Sequence, residues 1–237
     1  MIQGLGWPRA EGWNVQRYFL AVAGNIGVGK THLTRWLGKR LGWEVFYEPV
    51  VDNPYLDDFY GDMRRWSFHL QVFFLSKRFE MHRKMTDNML SCVQDRTIYE
   101  DAEVFARTLY ETGAMDQRDF DNYIALFECM TSYLQAPNAI IYLRADVDTL
   151  LQRIGRRGRD CERNIERAYL QQLNAAYDDW AARSAPDLRF VVVETDGLER
   201  VEEHPEIEKL VRQIEAGLPP DVALSAPQSP PRPGAGR

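Results

Sequence analysis

Lys30 and Thr31 close the run Gly24-Asn25-Ile26-Gly27-Val28-Gly29-Lys30-Thr31, which fits the pattern G-x-x-x-x-G-K-[ST]. Glycines at this spacing let backbone N–H groups curve around a phosphate. A helix that begins there adds the positive end of its dipole. A lysine at this point reaches the β- and γ-phosphates, and the hydroxyl of Thr31 is placed to ligate Mg²⁺. The run therefore implies a bound nucleoside triphosphate, with ATP and Mg²⁺ as the expected pair. The acceptor of the phosphoryl group has to be read elsewhere.

Three further places carry acceptor chemistry. Val45-Phe46-Tyr47-Glu48-Pro49-Val50 reads as a strand end. In parallel α/β sheets ligands gather at the carboxyl ends of strands. A carboxylate at Glu48 can take the proton of an attacking hydroxyl, or it is a solvated loop residue. Asp95 and Arg96 end another strand-like run. Asp95 suits Mg²⁺, directly or through water, and Arg96 suits the transferred phosphoryl group; the alternative is a structural ion pair. Finally, Arg153, Arg156, Arg157, Arg159 and Arg163 fall within eleven residues of a chain of net charge −6. Clustered guanidinium groups repel one another without an anion, and they bind phosphate oxygens in pairs. The glycines beside Arg156 and Arg157 suggest a lid that closes over the triphosphate.

The elements around these residues read as alternating strands and helices. Strand-like runs fall at Tyr18–Ala23, Val45–Tyr47, Val93–Ile98, Ala139–Leu143 and Leu188–Val193. Helical periodicity marks Leu33 to Leu41, Arg64 to Leu90, Phe120 to Tyr133 and Val201 to Ile214, with two more helices flanking the arginine segment. The expectation is an α/β fold of the P-loop kinase type: a five-stranded parallel sheet, helices on both faces and an arginine-rich lid. Gln71 and Arg78 are seven apart, two turns along one helix face. A Gln between Leu70 and Val72 needs a partner if buried, and a ligand would supply one.

Composition narrows the class. The chain has 237 residues, 45% of them hydrophobic and 27% charged, as in an ordinary globular domain. Its acidic balance argues against a general nucleic-acid binder. No run approaches the ~20 apolar residues of a membrane span, so no membrane partner is expected. Cys92, Cys129 and Cys161 form no metal or disulfide pattern, which fits the reducing cytoplasm. Residues 1–17 read as an N-terminal extension, 18–215 as the catalytic domain, and 216–237 as a disordered tail rich in Pro, Ala, Ser and Gly.

Taken together these motifs resemble the deoxynucleoside kinase family. The resemblance covers about residues 18 to 215. It rests on the glycine loop, Glu48-Pro49-Val50, the segment from Phe68 through Arg78, Asp95-Arg96 and the Arg153–Glu162 segment. The stretch from Glu48 to Tyr60 is most similar to bacterial deoxyadenosine and deoxyguanosine kinases. The resemblance implies Glu48 as the base that activates the 5′-hydroxyl, with Arg96 beside it. It implies Gln71 on the nucleobase edge, Tyr60 and Glu162 on the sugar 3′-hydroxyl, and Arg78 with Asp101 facing the base. Arg153, Arg157 and Arg159 would be the lid arginines. Where the family often has Glu-Arg-Ser, this chain has Asp95-Arg96-Thr97, a change that keeps metal ligation at Asp95. The implied protein is a cytoplasmic homodimer that makes deoxynucleoside monophosphates for nucleotide salvage. A thymidylate-kinase-like nucleotide kinase is the competing enzyme, but it would need a basic cluster for the acceptor's own phosphate. A non-catalytic scaffold should have lost one of Lys30, Glu48, Arg96 or the lid arginines.

Overall fold

The structure is a computed structural model, and it describes residues 18–47, 53–87, 90–162, 165–184 and 188–216. Expectations for residues 1–17, for Glu48 and for the tail from 217 lie outside the described residues. Among the described residues there are five parallel strands in the order β2-β3-β1-β4-β5. They are β1 (Phe19–Gly24), β2 (Glu44–Phe46), β3 (Cys92–Asp95), β4 (Ala139–Arg144) and β5 (Phe190–Glu194). All six residues of β1 are buried. Both faces of a central parallel strand are covered, so it reads as a continuous apolar run without alternation.

Pleat parity separates the two faces. Phe19 stands edge-on to His82 at 5.2 Å, Tyr142 stacks on Tyr177 at 5.5 Å, and Phe190 meets Trp180 at 5.0 Å. The strand register puts Phe19, Tyr142 and Phe190 on one side of the sheet. Helices α3 (Met63–Asp87) and α8 (Arg167–Ser184) therefore cover that side. Helix α1 (Lys30–Leu41) covers the other, so close that a Cβ on Gly38 would lie 2.0 Å from Val45 Cγ2. Helix α9 (Pro205–Glu215) joins α1 there through the Arg40–Glu215 ion pair.

The third strand departs from expectation. The apolar run suggests strand through Ile98, but β3 stops at Asp95. Arg96 turns into the left-handed region with φ 64°. Thr97 then starts a helix through a capping box: its side chain accepts from Glu100 N, and the Glu100 carboxylate accepts from Thr97 N. The helix continues as α4 (Ile98–Glu100), a π-helical segment (Asp101–Ala106) and α5 (Arg107–Glu111). Other boundaries move by a few residues. The longest helix ends at Asp87, α6 spans Gln117–Thr131, and β5 begins at Phe190.

His82 gives the fold a pH dependence. It is buried, bonds through Nε2 to the Gln135 carbonyl at 2.8 Å, and burial lowers its pKa from 6.5 to about 4. The unfolded chain then binds more protons than the folded one between these values. Stability is present above pH 6.5 and is lost as pH falls toward 4. Going from pH 7 to pH 5 should cost about 2 kcal/mol at this site. Urea unfolding of the parent and of His82→Gln at both pH values checks this. The pH-dependent loss should shrink in the variant by about that amount, and an unchanged loss would contradict it.

Candidate active site

The glycine loop leaves the carboxyl end of β1, beside the point where strand order reverses between β3 and β4. Such switch points form the ligand crevice of α/β sheets. Gly24 has φ 138°, and a Cβ there would sit 2.4 Å from the Leu143 carbonyl oxygen. A Cβ on Gly27 would sit 2.7 Å from Ile154 Cγ1. Both positions therefore need glycine for space as well as for conformation. Asn25 pins the loop to α8 by donating to Leu170 O (2.9 Å) and Asn174 Oδ1 (2.7 Å). Helix α1 starts at Lys30 with Gly29 before it and no side-chain cap, which leaves its first N–H groups for an anion.

Lys30 is almost fully buried, and its Nζ donates to Gly24 O at 2.8 Å and Asn25 O at 3.0 Å. The ammonium is thus held over the loop. Thr31 Oγ1 donates to Asp95 Oδ2 at 2.5 Å, which brings the two expected metal-side residues together across 64 positions of sequence. Two hard oxygen donors fit Mg²⁺, which usually takes one or two protein ligands and fills the rest with water and phosphate. Among the described residues no cluster of three or more His, Cys, Asp or Glu offers a further metal centre.

A cleft of about 520 Å³ opens from this loop. Lys30, Thr31, Asp95 and Arg96 line it together with Tyr60, Gln71 and Asp101. Gln71 is 2% exposed, and its Oε1 has no hydrogen-bond partner among the described residues. A buried, unsatisfied carbonyl that faces a cleft is an acceptor for a ligand donor. Behind it Arg78 Nε meets Asp101 Oδ2 at 2.5 Å, with both side chains essentially inaccessible. Arg78 Nη1 also donates to Arg96 O at 3.4 Å, which ties the pair to the β3–α4 turn.

The arginine segment is more ordered than its glycines suggest. Arg153, Arg156 and Arg157 lie in the last turns of helix α7 (Val147–Arg157), held down by buried Leu150 and Ile154. Gly155 is a helical residue and not a hinge; Gly158, with φ 66°, ends the helix. Arg153 donates to Val28 O (3.1 Å), Thr195 Oγ1 (2.9 Å) and Thr195 O (2.7 Å). Arg157 instead meets Glu162 Oε2 at 2.6 Å, and Arg159 approaches Glu162 Oε1 at 3.5 Å. Arg153 thus buttresses the loop, and Arg153, Arg157 and Arg159 all line the cleft. Arg153→Ala, which removes three hydrogen bonds, should cost about 2–3 kcal/mol. Arg157→Ala, which breaks a half-exposed pair, should cost about 1 kcal/mol or less. Thermal unfolding of the two variants should show that order, and equal losses would contradict it.

Several residues of the site escape a linear reading. The π-helical segment carries Phe105, which the sequence did not single out, to the cleft beside the expected Asp101, and the Arg96 guanidinium lies 4.2 Å over the Phe105 ring. Such π segments are frequent at functional sites. Glu100 is fully buried behind the loop. Its signal was present as the Thr97-x-x-Glu100 capping pattern, masked by the apolar run that it interrupts.

Comparison with known proteins agrees with this geometry. The family described as deoxynucleoside kinase matches residues 20–218. The deoxyadenosine/deoxycytidine kinase of Bacillus subtilis is 40% identical over 199 residues, covering 82% of this chain and 90% of that protein. The deoxyguanosine kinase of the same organism is 32% identical, covering 83% and 95%. Among solved structures, the deoxyadenosine kinase of M. mycoides with products dCMP and a flexible dCDP bound superposes with a TM-score of 0.74. It is 30% identical, covering 84% of this chain and 99% of that one. A glycine loop backed by Thr31–Asp95, a cleft lined by Gln71 and a family match across most of the described residues agree, and the chain belongs to the deoxynucleoside kinase family.

Proposed function

We propose that this protein transfers the γ-phosphoryl group of ATP to the 5′-hydroxyl of a deoxynucleoside, yielding the monophosphate for nucleotide salvage. One observation carries this reading above the others. One cleft is lined both by the phosphate loop and by a buried Gln71 whose Oε1 has no hydrogen-bond partner among the described residues.

In this reading Lys30 and the loop N–H groups hold the β- and γ-phosphates. Thr31 and Asp95 hold Mg²⁺, which when bound neutralises charge on the phosphates. Glu48 takes the 5′-hydroxyl proton, and Arg96 sits beside the transferred group. Gln71 Oε1 accepts from the base edge, and Tyr60 and Glu162 hold the sugar 3′-hydroxyl. Arg157 and Arg159 pair with Glu162 and in this reading turn to the phosphates when the sugar takes that carboxylate. Charges that arrive with the developing transition state act on turnover more than on affinity.

The preference we propose is for deoxyadenosine and deoxyguanosine, with deoxycytidine as a further substrate. The Asp101 carboxylate can accept hydrogen bonds from the exocyclic amine of adenine or cytosine, or from the N1–H and amine of guanine. Thymine presents a carbonyl at that place. Leaving such groups unpaired costs about 1–3 kcal/mol each. Thymidine should therefore be phosphorylated roughly 10- to 100-fold less efficiently than the purine deoxynucleosides. Efficient thymidine turnover in a coupled ADP-release assay would remove the Arg78–Asp101 pair from the base site.

The same proposal takes residues 18–215 as the catalytic unit of a cytoplasmic homodimer. Leu126 on α6 and Tyr133 in the turn that follows it are exposed apolar side chains, Tyr133 at 80%. Exposed apolar side chains of this kind suit helix-to-helix contact between two copies.

A further inference from the structure

The carboxylate of Glu100 has no part in the chemistry described so far, yet it stands at the centre of the site's supports. It is 0% exposed. Its Oε1 accepts from Thr97 N at 2.9 Å. Its Oε2 accepts from the Tyr177 hydroxyl of α8 at 2.7 Å and lies 3.5 Å from Gly24 N, where β1 passes into the glycine loop. Burial raises its pKa, and the neighbouring cations Arg96 and Lys30 pull it back.

Arg96 has the conformation that calls for such a support. It is the one non-glycine residue with positive φ among the described residues. A left-handed arginine is unfavourable, and it persists only where its surroundings hold it. Its N–H bonds to Val22 O at 3.0 Å, and its guanidinium lies over Phe105. The residue that follows it, Thr97, is tied to Glu100 in both directions. We propose that Glu100 is a positioning residue, whose carboxylate, through Thr97 and Tyr177, holds the left-handed turn that carries Arg96 and locks the β3–α4 turn to the start of the glycine loop. This rests on the reading of Arg96 as a catalytic group.

Glu100→Gln tests it, because the amide oxygen can still cap Thr97 N while the charge is gone. In the parent background kcat should fall about tenfold or more, and the KM for deoxyadenosine should stay within about twofold, as expected for a group felt mainly in the transition state. In an Arg96→Ala background the same substitution should change kcat less than about twofold, since coupled residues are not additive. If Arg96→Ala alone leaves kcat unchanged, the reading of Arg96 fails and the proposal falls with it. If Arg96→Ala is impaired while Glu100→Gln is not, the proposal alone is overturned. Equal losses in both backgrounds would make Glu100 a general structural residue and overturn it too. Should Glu100→Gln not fold, Tyr177→Phe enters the same cycle, because it removes one donor and keeps the charge. Its kcat should fall about threefold or more only when Arg96 is present, and an equal loss in both backgrounds would be the overturning result.

Discussion

Replacing Asp101 with Ala should cost the protein about 3–5 kcal/mol of stability, because Arg78 is left as a buried charge without its carboxylate. The pair is 2.5 Å apart and both side chains are essentially inaccessible. For a chain of this size the loss corresponds to a drop of about 10 °C or more in melting temperature. The double variant Arg78→Met with Asp101→Ala should be less damaged than Asp101→Ala alone, since no orphan charge remains. A buried ion pair replaced by apolar groups is often close to neutral. The double variant should also gain thymidine turnover relative to deoxyadenosine, because the acceptor-only carboxylate that opposes thymine O4 has gone. Melting curves of the three proteins and their kcat/KM on both substrates check this. If Asp101→Ala is no less stable than the double variant, the pair does not stabilise as an ion pair. If thymidine remains a poor substrate, it does not choose the base.

Glu48→Gln should lower kcat by about 10²–10⁴-fold, the usual contribution of general acid–base catalysis. The amide keeps the shape of the side chain and cannot accept the hydroxyl proton. Nucleoside binding should change much less, since the interaction matters mainly once the proton is in flight. Glu48 lies outside the described residues, but its setting does not. Strand β2 ends at Phe46, and Tyr47 already lines the cleft. Steady-state kinetics of the variant with a fluorescent-nucleoside binding control separates the two quantities. Turnover within a few-fold of the parent would return Glu48 to the role of an ordinary loop carboxylate.

The parts of this site that can be read from the chain alone are those encoded in contiguous residues. The loop from Gly24 to Thr31 is eight residues long and carries its own strand and helix, so both its fold and its chemistry are visible. Gln71 and Arg78 declare a shared helix face by spacing. What remains hidden is carried by contacts distant in sequence or by rare backbone states. Apolar Val93 and Ile98 read as one strand, because nothing in side-chain pattern announces that Arg96 turns left-handed between them. The bonds from Arg153 to Thr195 span 42 positions, so its hold on the loop cannot be read from the arginine run. The π-helical turn that brings Asp101 and Phe105 to the cleft has no periodicity of its own. Glu100 could have been found through its capping pattern, but its importance comes from Tyr177 and Gly24, 77 and 76 positions away.

The central claim is that the phosphoryl group goes to a nucleoside hydroxyl and not to a nucleotide phosphate. It is tested most directly by incubating the protein with ATP and Mg²⁺ against the four deoxynucleosides and, separately, their 5′-monophosphates, with products resolved by ion-pair chromatography. The expected result is deoxyadenosine and deoxyguanosine converted to their 5′-monophosphates, with no diphosphate formed from any monophosphate. Diphosphates formed from monophosphates, with the nucleosides untouched, would contradict it.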